Sequence, residues 1–379
     1  MEHGDPAPLH PFGGGDHPGR SGHGGPHRRA GVRSRSRRGR AWPLGYDPEA
    51  APAGRPHVMV DGAPVPGTVL TLSHWPATPT PPGLRADLSA EIAFAWLGDP
   101  RGAEEAEVAT IDHVDQDGLV GLYALVAPED ALARRSRLVA VARAGDFAVA
   151  SDREAARASF ALAALGDPAR SPLPGVGRSA GPWATWTATL ATEALARLPA
   201  LVADPAPYRE LWEEEDTALT ESAAAITNGE VEVEEHPALD LAVVRVPEGR
   251  APRLATRFCS RADAPCHPVA VHNATGALRV LTVQGRRYEL VLRYESWVRY
   301  VSRAIAPRVA LGPLAGALEA EEPGGARWVA DPVAALVPRL RLREGDESGL
   351  DPARVIAVVQ AHLATAPPAW SGEGAVVGG

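Results

Sequence analysis

The sequence predicts an α/β protein: an N-terminal domain built on a mainly parallel sheet, followed by a second, smaller α/β domain. Three observations carry this. Short aliphatic runs alternate with helical patterns between residues 46 and 180, strand patterns return after residue 236, and 45% apolar with 22% charged residues is an ordinary globular composition. A length of 379 residues suffices for two cores.

The elements are expected in this order. Residues 1–45 are rich in Gly, His, Pro and Arg, have no aliphatic periodicity, and read as a disordered tail. Residues 46–180 form the first α/β domain. Val69–Ser73 is a buried strand ending at His74-Trp75-Pro76, and Asp87-Leu88-Ser89 opens a helix through Leu97 behind a polar cap. Val108–Ile111 is a second strand, with a helix at about Leu119–Val126 after it. Leu138–Ala142 reads as a third strand ending near Gly145-Asp146, and Arg153–Leu165 as an Ala-rich helix. Residues 181–235 read as a helical connector, with helices at about 183–202 and 206–227.

Residues 236–379 form a C-terminal α/β accessory domain. Its strands are expected at Leu239–Val246, Pro268–His272, Leu278–Val283 and Tyr288–Tyr294, the last two joined by a hairpin at Gln284-Gly285-Arg286-Arg287. Helices are expected at Trp297–Ile305 and from Asp351-Pro352, where Asp is N-cap and Pro the first helical residue.

Composition bounds the function. No run of eighteen apolar residues occurs and the N-terminus has no apolar signal region, so a soluble, cytoplasmic protein is expected. Two cysteines, Cys259 and Cys266, make no disulfide framework. All 38 basic residues are Arg, which removes P-loop, kinase and Schiff-base lysines together. A phosphate-binding cation must then be an Arg, a metal or a backbone N–H. Residues 1–45 carry eight Arg against Glu2, Asp5 and Asp16, so the tail is about +5 and the remainder of the net −9 chain about −14. Apart from that tail there is no strong nucleic-acid footprint.

One segment is loaded with chemistry: Ile111 to Val126, IDHVDQDGLVGLYALV. If 113–117 are extended, His113, Asp115 and Asp117 point to one side, at the carboxyl end of a strand, where open α/β sheets bind ligands. A His with carboxylates suits Mn²⁺ or Mg²⁺, and paired metals activate water and clamp phosphoryl oxygens. The same carboxylates also suit a plain helix cap. An EF-hand fails, because aligning Gly118 to its glycine puts Ala124 where the bidentate Glu belongs. Cys259, Cys266, His267 and His272 match no zinc spacing, there is no Gly-x-Ser-x-Gly elbow, and Gly175-Val176-Gly177 follows prolines rather than a strand.

His113-Val114-Asp115-Gln116-Asp117-Gly118 resembles the first motif of the DHH phosphoesterase superfamily. Gly145-Asp146 is similar to a later motif, and Ser73-His74-Trp75 with the helix after it resembles the flank of the Asp-His-His motif, in permuted order and with Ser and Trp around the one His. The whole chain also resembles an uncharacterised actinobacterial family. The resemblance implies that His113, Asp115, Asp117 and Asp146, with His74, hold Mn²⁺ or Mg²⁺. It implies hydrolysis of a nucleotide or other small phosphoester, with Asp117 and His74 in the catalytic set and Arg293 or a neighbour steadying the phosphate. The alternative is a non-catalytic descendant that binds a nucleotide or a partner protein in the same crevice.

Overall fold

The computed structural model describes residues 43–51, 53–174 and 183–375, so the expected tail lies outside the described residues except at its last positions. Four short strands make the first sheet: β1 (Gly45–Tyr46), β2 (His57–Val60), β3 (Thr68–Leu72) and, after helix α1 (Ser89–Gly98), β4 (Val108–Thr110). All pair in parallel, in the order β1-β4-β2-β3. β2 reads HVMV and is buried throughout, as a strand covered on both faces must be. The short return from β2 to β3 closes on Gly67, whose φ of +89° favours glycine and where a Cβ would stand 2.6 Å from the Arg55 carbonyl oxygen.

Six helices follow: α2 (Gln116–Val126), α3 (Pro128–Ala133), α4 (Arg135–Asp146), α5 (Arg153–Gly166), α6 (Trp183–Ala203) and α7 (Arg209–Thr227). The strand expected at Leu138–Ala142 is therefore helix. The β-branched residues there suggest a strand, but Leu138, Val141, Ala142 and Gly145 bury at three- and four-residue spacing, with Ala144 and Asp146 beside them, and that spacing is helical. The stretch expected to connect two domains buries Leu190, Leu198, Leu201, Trp212 and Leu219 in the same core as the first sheet.

The second sheet begins with β5 (Glu232–His236) and β6 (Leu241–Val246). A two-stranded hairpin, β7 (Thr256–Arg257) and β8 (Ser260–Arg261), and helix α8 (Pro268–Ala274) precede β9 (Arg279–Gln284) and β10 (Arg287–Leu292). After β11 (Arg308–Val309) and α9 (Gly312–Glu321) come β12 (Trp328–Ala330) and β13 (Arg339–Leu342), then α10 (Pro352–Thr365), β14 (Pro368–Ser371) and β15 (Gly374–Ala375). The order in this mixed sheet is β12-β13-β10-β9-β6-β5, with only β6 and β9 parallel. Alternation splits its side chains: Leu241, Val243, Leu281 and Val283 face α9 and α10, while Val244, Val246 and Val280 face the α7–α8 side.

Two further expectations fail. Pro268–His272 is helix, not strand: Pro268 takes the first helical position and the His267 ring accepts from the Val269 N–H. Trp297–Ile305 is not a helix. Beyond a 3₁₀ turn at Tyr294–Ser296, its N–H groups go elsewhere: Arg299 N donates to the His74 carbonyl at 2.8 Å, and Val301 N and Ser302 N donate to Asp87 Oδ1. Buried Arg308 ties this strap to its neighbour by donating to Ser296 Oγ and to the carbonyls of Val333, Ala335 and Leu336. The described residues from Pro43 onward fall in one compact unit.

Candidate metal centre

The carboxyl ends of β2, β3 and β4 converge, the position where an open parallel sheet presents its ligands. Asp61 follows β2 directly with φ +48°, His74 lies just past β3, and His113 just past β4. Asp115 and Asp117 sit at the start of α2, and Asp146 is the last residue of α4.

Residues 113–117 are not an extended run with three donors on one face. The helix starts at Gln116, so Asp115 is its N-cap and accepts from the Gly118 N–H at 2.9 Å, while Asp117 turns away within the first helical turn. Asp117 instead accepts from Ser89 N at 2.7 Å and Ala90 N at 2.9 Å, capping α1 from another helix. The donors consequently form two groups that share Asp61. Asp61, His74 and Asp117 offer ligand atoms within 4.8 Å of one another, as do Asp61, His113 and Asp115. Asp61 Oδ1 lies 3.4 Å from His74 Nε2 and Oδ2 lies 3.5 Å from His113 Nε2. Asp146 Oδ2 stands 3.5 Å from His74 Nε2.

Of the expected ligands, His74 and Asp117 fall in one group, His113 and Asp115 in the other, and Asp146 in neither, standing beside His74. Arg293 does not present a free guanidinium there. It donates to the Thr275 and Ala277 carbonyls and pairs with Glu295, because the turn after β10 is buried and its charge must be matched. Sequence reasoning missed Asp61, although VMVDG, an apolar run ending in Asp-Gly, is the signature of a strand end. It also missed Ser89, whose hydroxyl donates to Asp61 Oδ1 at 2.7 Å.

The electrostatics are those of a site short of positive charge. Asp61, Asp117 and Asp146 are all fully buried. Burial first, then the charge of Asp115, pushes the Asp117 carboxyl up to about 8. Burial and the neighbouring carboxylates raise Asp61 and Asp146 well above the usual range. Burial opposes charge on His113 too, but the Asp115 and Asp112 carboxylates outweigh it and its pKa is raised; His113 in turn holds Asp115 low. His74 is brought down to about 4 by burial and is neutral. Its Nδ1 donates to the Asp87 carbonyl, so Nε2 carries a lone pair facing carboxylate oxygens. Both Asp146 carboxylate oxygens and Asp61 Oδ2 are buried without a hydrogen-bond partner. Asp61, His74 and Asp117, and likewise Asp61, His113 and Asp115, are each a donor set that could hold a metal ion.

Fold and site together define an α/β protein with a buried His/Asp cluster, able to hold a metal, at the carboxyl edge of a parallel sheet. The chain belongs to DUF6687, a family of unknown function, whose model matches residues 44–373 and so takes in the whole cluster. No curated protein and no solved structure matches it. Among the described residues no helix is long and apolar enough to cross a membrane.

Proposed function

We propose that this protein is a metal-dependent phosphoesterase, hydrolysing a nucleotide or another small phosphoester. One observation carries the proposal: His74 Nε2 faces carboxylate oxygens of the buried Asp61, Asp117 and Asp146, a concentration of acidic groups that a bound cation would balance. When bound, Mn²⁺ or Mg²⁺ supplies Lewis acidity for water and for phosphoryl oxygens.

The chain's own residues do the rest. Asp61 presents one oxygen to each histidine and so spans two positions. The Asp87 carbonyl fixes the His74 ring, and the α1 N–H groups fix Asp117. His113, partly exposed and held protonated by Asp112 and Asp115, must release its proton to become a ligand, so metal uptake weakens in acid. Hydrolysis adds the water oxygen to phosphorus, breaks the P–O ester bond and passes a proton to the leaving oxygen. The segment after residue 236 serves as an accessory domain that covers the substrate. Free Cys259 and Cys266 suit a reducing compartment such as the cytoplasm.

A non-catalytic nucleotide- or partner-binding protein is the second reading, favoured by Ser73 and Trp75 standing on either side of the single His74. Metal analysis of the purified protein, with a Mn²⁺-dependent assay on phosphodiesters and nucleotides, separates the two. Tight metal with turnover supports the enzyme, tight metal without turnover supports the binding protein, and no metal removes both.

A further inference from the structure

Without lysine, a cation for an anionic substrate must come from arginine. Three of the arginines near the centre are committed. Arg293 gives both terminal nitrogens to backbone carbonyls and Glu295, leaving its inner Nε without a partner, and Arg308 spends its donors on carbonyls and Ser296. Arg299 is bound to Glu373 and the Thr78 carbonyl.

Arg257 differs. From β7 its Nη2 donates to the backbone carbonyl of Asp146 at 2.7 Å, and its guanidinium stands 4.8 Å from the Phe258 ring centre. Nη1 is buried and has no partner. The charge of Glu295 also acts on this guanidinium, but Glu295 is itself paired with Arg293.

The hairpin carrying Arg257 is held in a form its sequence disfavours. Its turn residues, Phe258 and Cys259, have φ of +48° and +55° without being glycine. Such strain persists only where the surroundings impose it. Two contacts do so. Glu215, fully buried on α7, accepts from both Thr256 N and Thr256 Oγ1 at 2.7 Å. The Phe258 ring lies 4.9 Å from that of Tyr294, whose hydroxyl is 3.3 Å from His74 Nε2. The turn is thereby registered against the metal centre.

We propose that Arg257 is the anion-binding residue of this centre and that it takes an oxyanion of a phosphoryl group, with Glu215 as a positioning residue behind it; the proposal rests on the metal-centre assignment above. The Asp146 carbonyl fixes one arm of the fork, which leaves Nη1 to donate to a phosphoryl oxygen, and the Asp146 carboxylate would help hold the cation.

The test is titration of inorganic phosphate into the full-length, Mn²⁺-loaded protein by calorimetry, with Mn²⁺ affinity measured separately. Arg257→Gln is expected to keep Mn²⁺ and to weaken phosphate at least about tenfold, the worth of one hydrogen bond to a charged group. Arg257→Lys, which keeps charge but loses the fork, should fall in between. Glu215→Gln should weaken phosphate by a smaller factor without touching Mn²⁺. If Arg257→Gln does not fold, the Lys variant decides: a drop supports the proposal and no change overturns it. Retained Mn²⁺ with unchanged phosphate affinity in Arg257→Gln overturns it, as does a wild type that binds Mn²⁺ but no phosphate; both leave the metal centre standing. A wild type that takes up no Mn²⁺ overturns both.

Discussion

His74 donates its Nδ1 proton to the backbone carbonyl of Asp87 at 2.5 Å, and that bond decides which ring nitrogen is bare. Asp87 is in turn gripped from residues 301 and 302, so the tautomer of a candidate ligand is set by a segment more than two hundred residues away in the chain.

His74→Gln should therefore lose Mn²⁺ affinity by at least about a hundredfold, and Asp87→Ala, which loosens the carbonyl without removing a ligand, by about tenfold. Titration followed by the electron paramagnetic resonance of free Mn²⁺ measures both. Equal affinities in wild type and His74→Gln would show that the ring is structural.

Asp117 serves two masters, α1 and the candidate metal. Asp117→Ala leaves two buried N–H groups without an acceptor, at a cost of about 0.5–2 kcal/mol. It should also lose the stabilisation that a bound metal gives the wild type, about 2.7 kcal/mol at a hundredfold excess over the dissociation constant. Thermal melts of both proteins, with and without Mn²⁺, give the two numbers separately. A variant stabilised by Mn²⁺ as strongly as the wild type would free Asp117 of any ligand role.

The pH dependence of the metal-free protein has a definite sign. Asp117 titrates at about 8 when folded, against roughly 4 unfolded, so the folded chain holds a proton that the unfolded chain releases. Its contribution is present below the unfolded value and is lost as pH rises from about 4 through about 8. Asp61 and Asp146, raised by burial, act in the same direction, and so does His113, whose raised pKa stabilises the fold in acid. His74, lowered to about 4 by burial, acts oppositely as pH falls below about 6.5. The metal-free protein should therefore melt higher near pH 6 than near pH 8, and saturating Mn²⁺ should reverse the order, because ligands bind deprotonated. Differential scanning calorimetry at the two pH values checks this; a flat metal-free profile would mean that these carboxyls are not so raised.

Much of this centre is visible in the sequence because donor residues follow strand ends. Val69–Ser73 and Val108–Ile111 are apolar runs of the right length, and His74 and His113 come just after them. Asp61 escapes because β2 is only four residues long, too short for a period, with a left-handed residue after it. The expected alternation of 113–117 fails because a cap residue and a helical residue can also lie two apart; the Gly118 N–H to Asp115 Oδ1 cap and the Leu119 N–H to Asp115 carbonyl bond mark the helix start instead. Leu138–Ala142 was ambiguous for a related reason, since a short aliphatic run fits both periods until its buried positions are known. Arg257 gave no signal, as strands of two residues carry no pattern, and Arg293 looked free because its carbonyl partners are distant in sequence.

Gly145 offers a test of how tightly Asp146 is placed. A Cβ there would come within 2.6 Å of Gln116 Cβ, so α4 approaches α2 at this point only because the side chain is absent. Gly145→Ala should cost about 1–3 kcal/mol in urea unfolding and weaken Mn²⁺ by displacing its neighbour. An unchanged midpoint would show that Gln116 simply swings aside.

The clamp on the His74 loop also has a consequence for biosynthesis. A nascent chain carries every candidate metal donor once residue 146 has been made, yet Tyr294, Arg299 and Ser302, which orient and pin the His74 loop, emerge much later. A truncated translation product would own the donors without the geometry. The arrangement of the His74 loop is therefore a property of the finished chain, set only once the residues near 300 have been made.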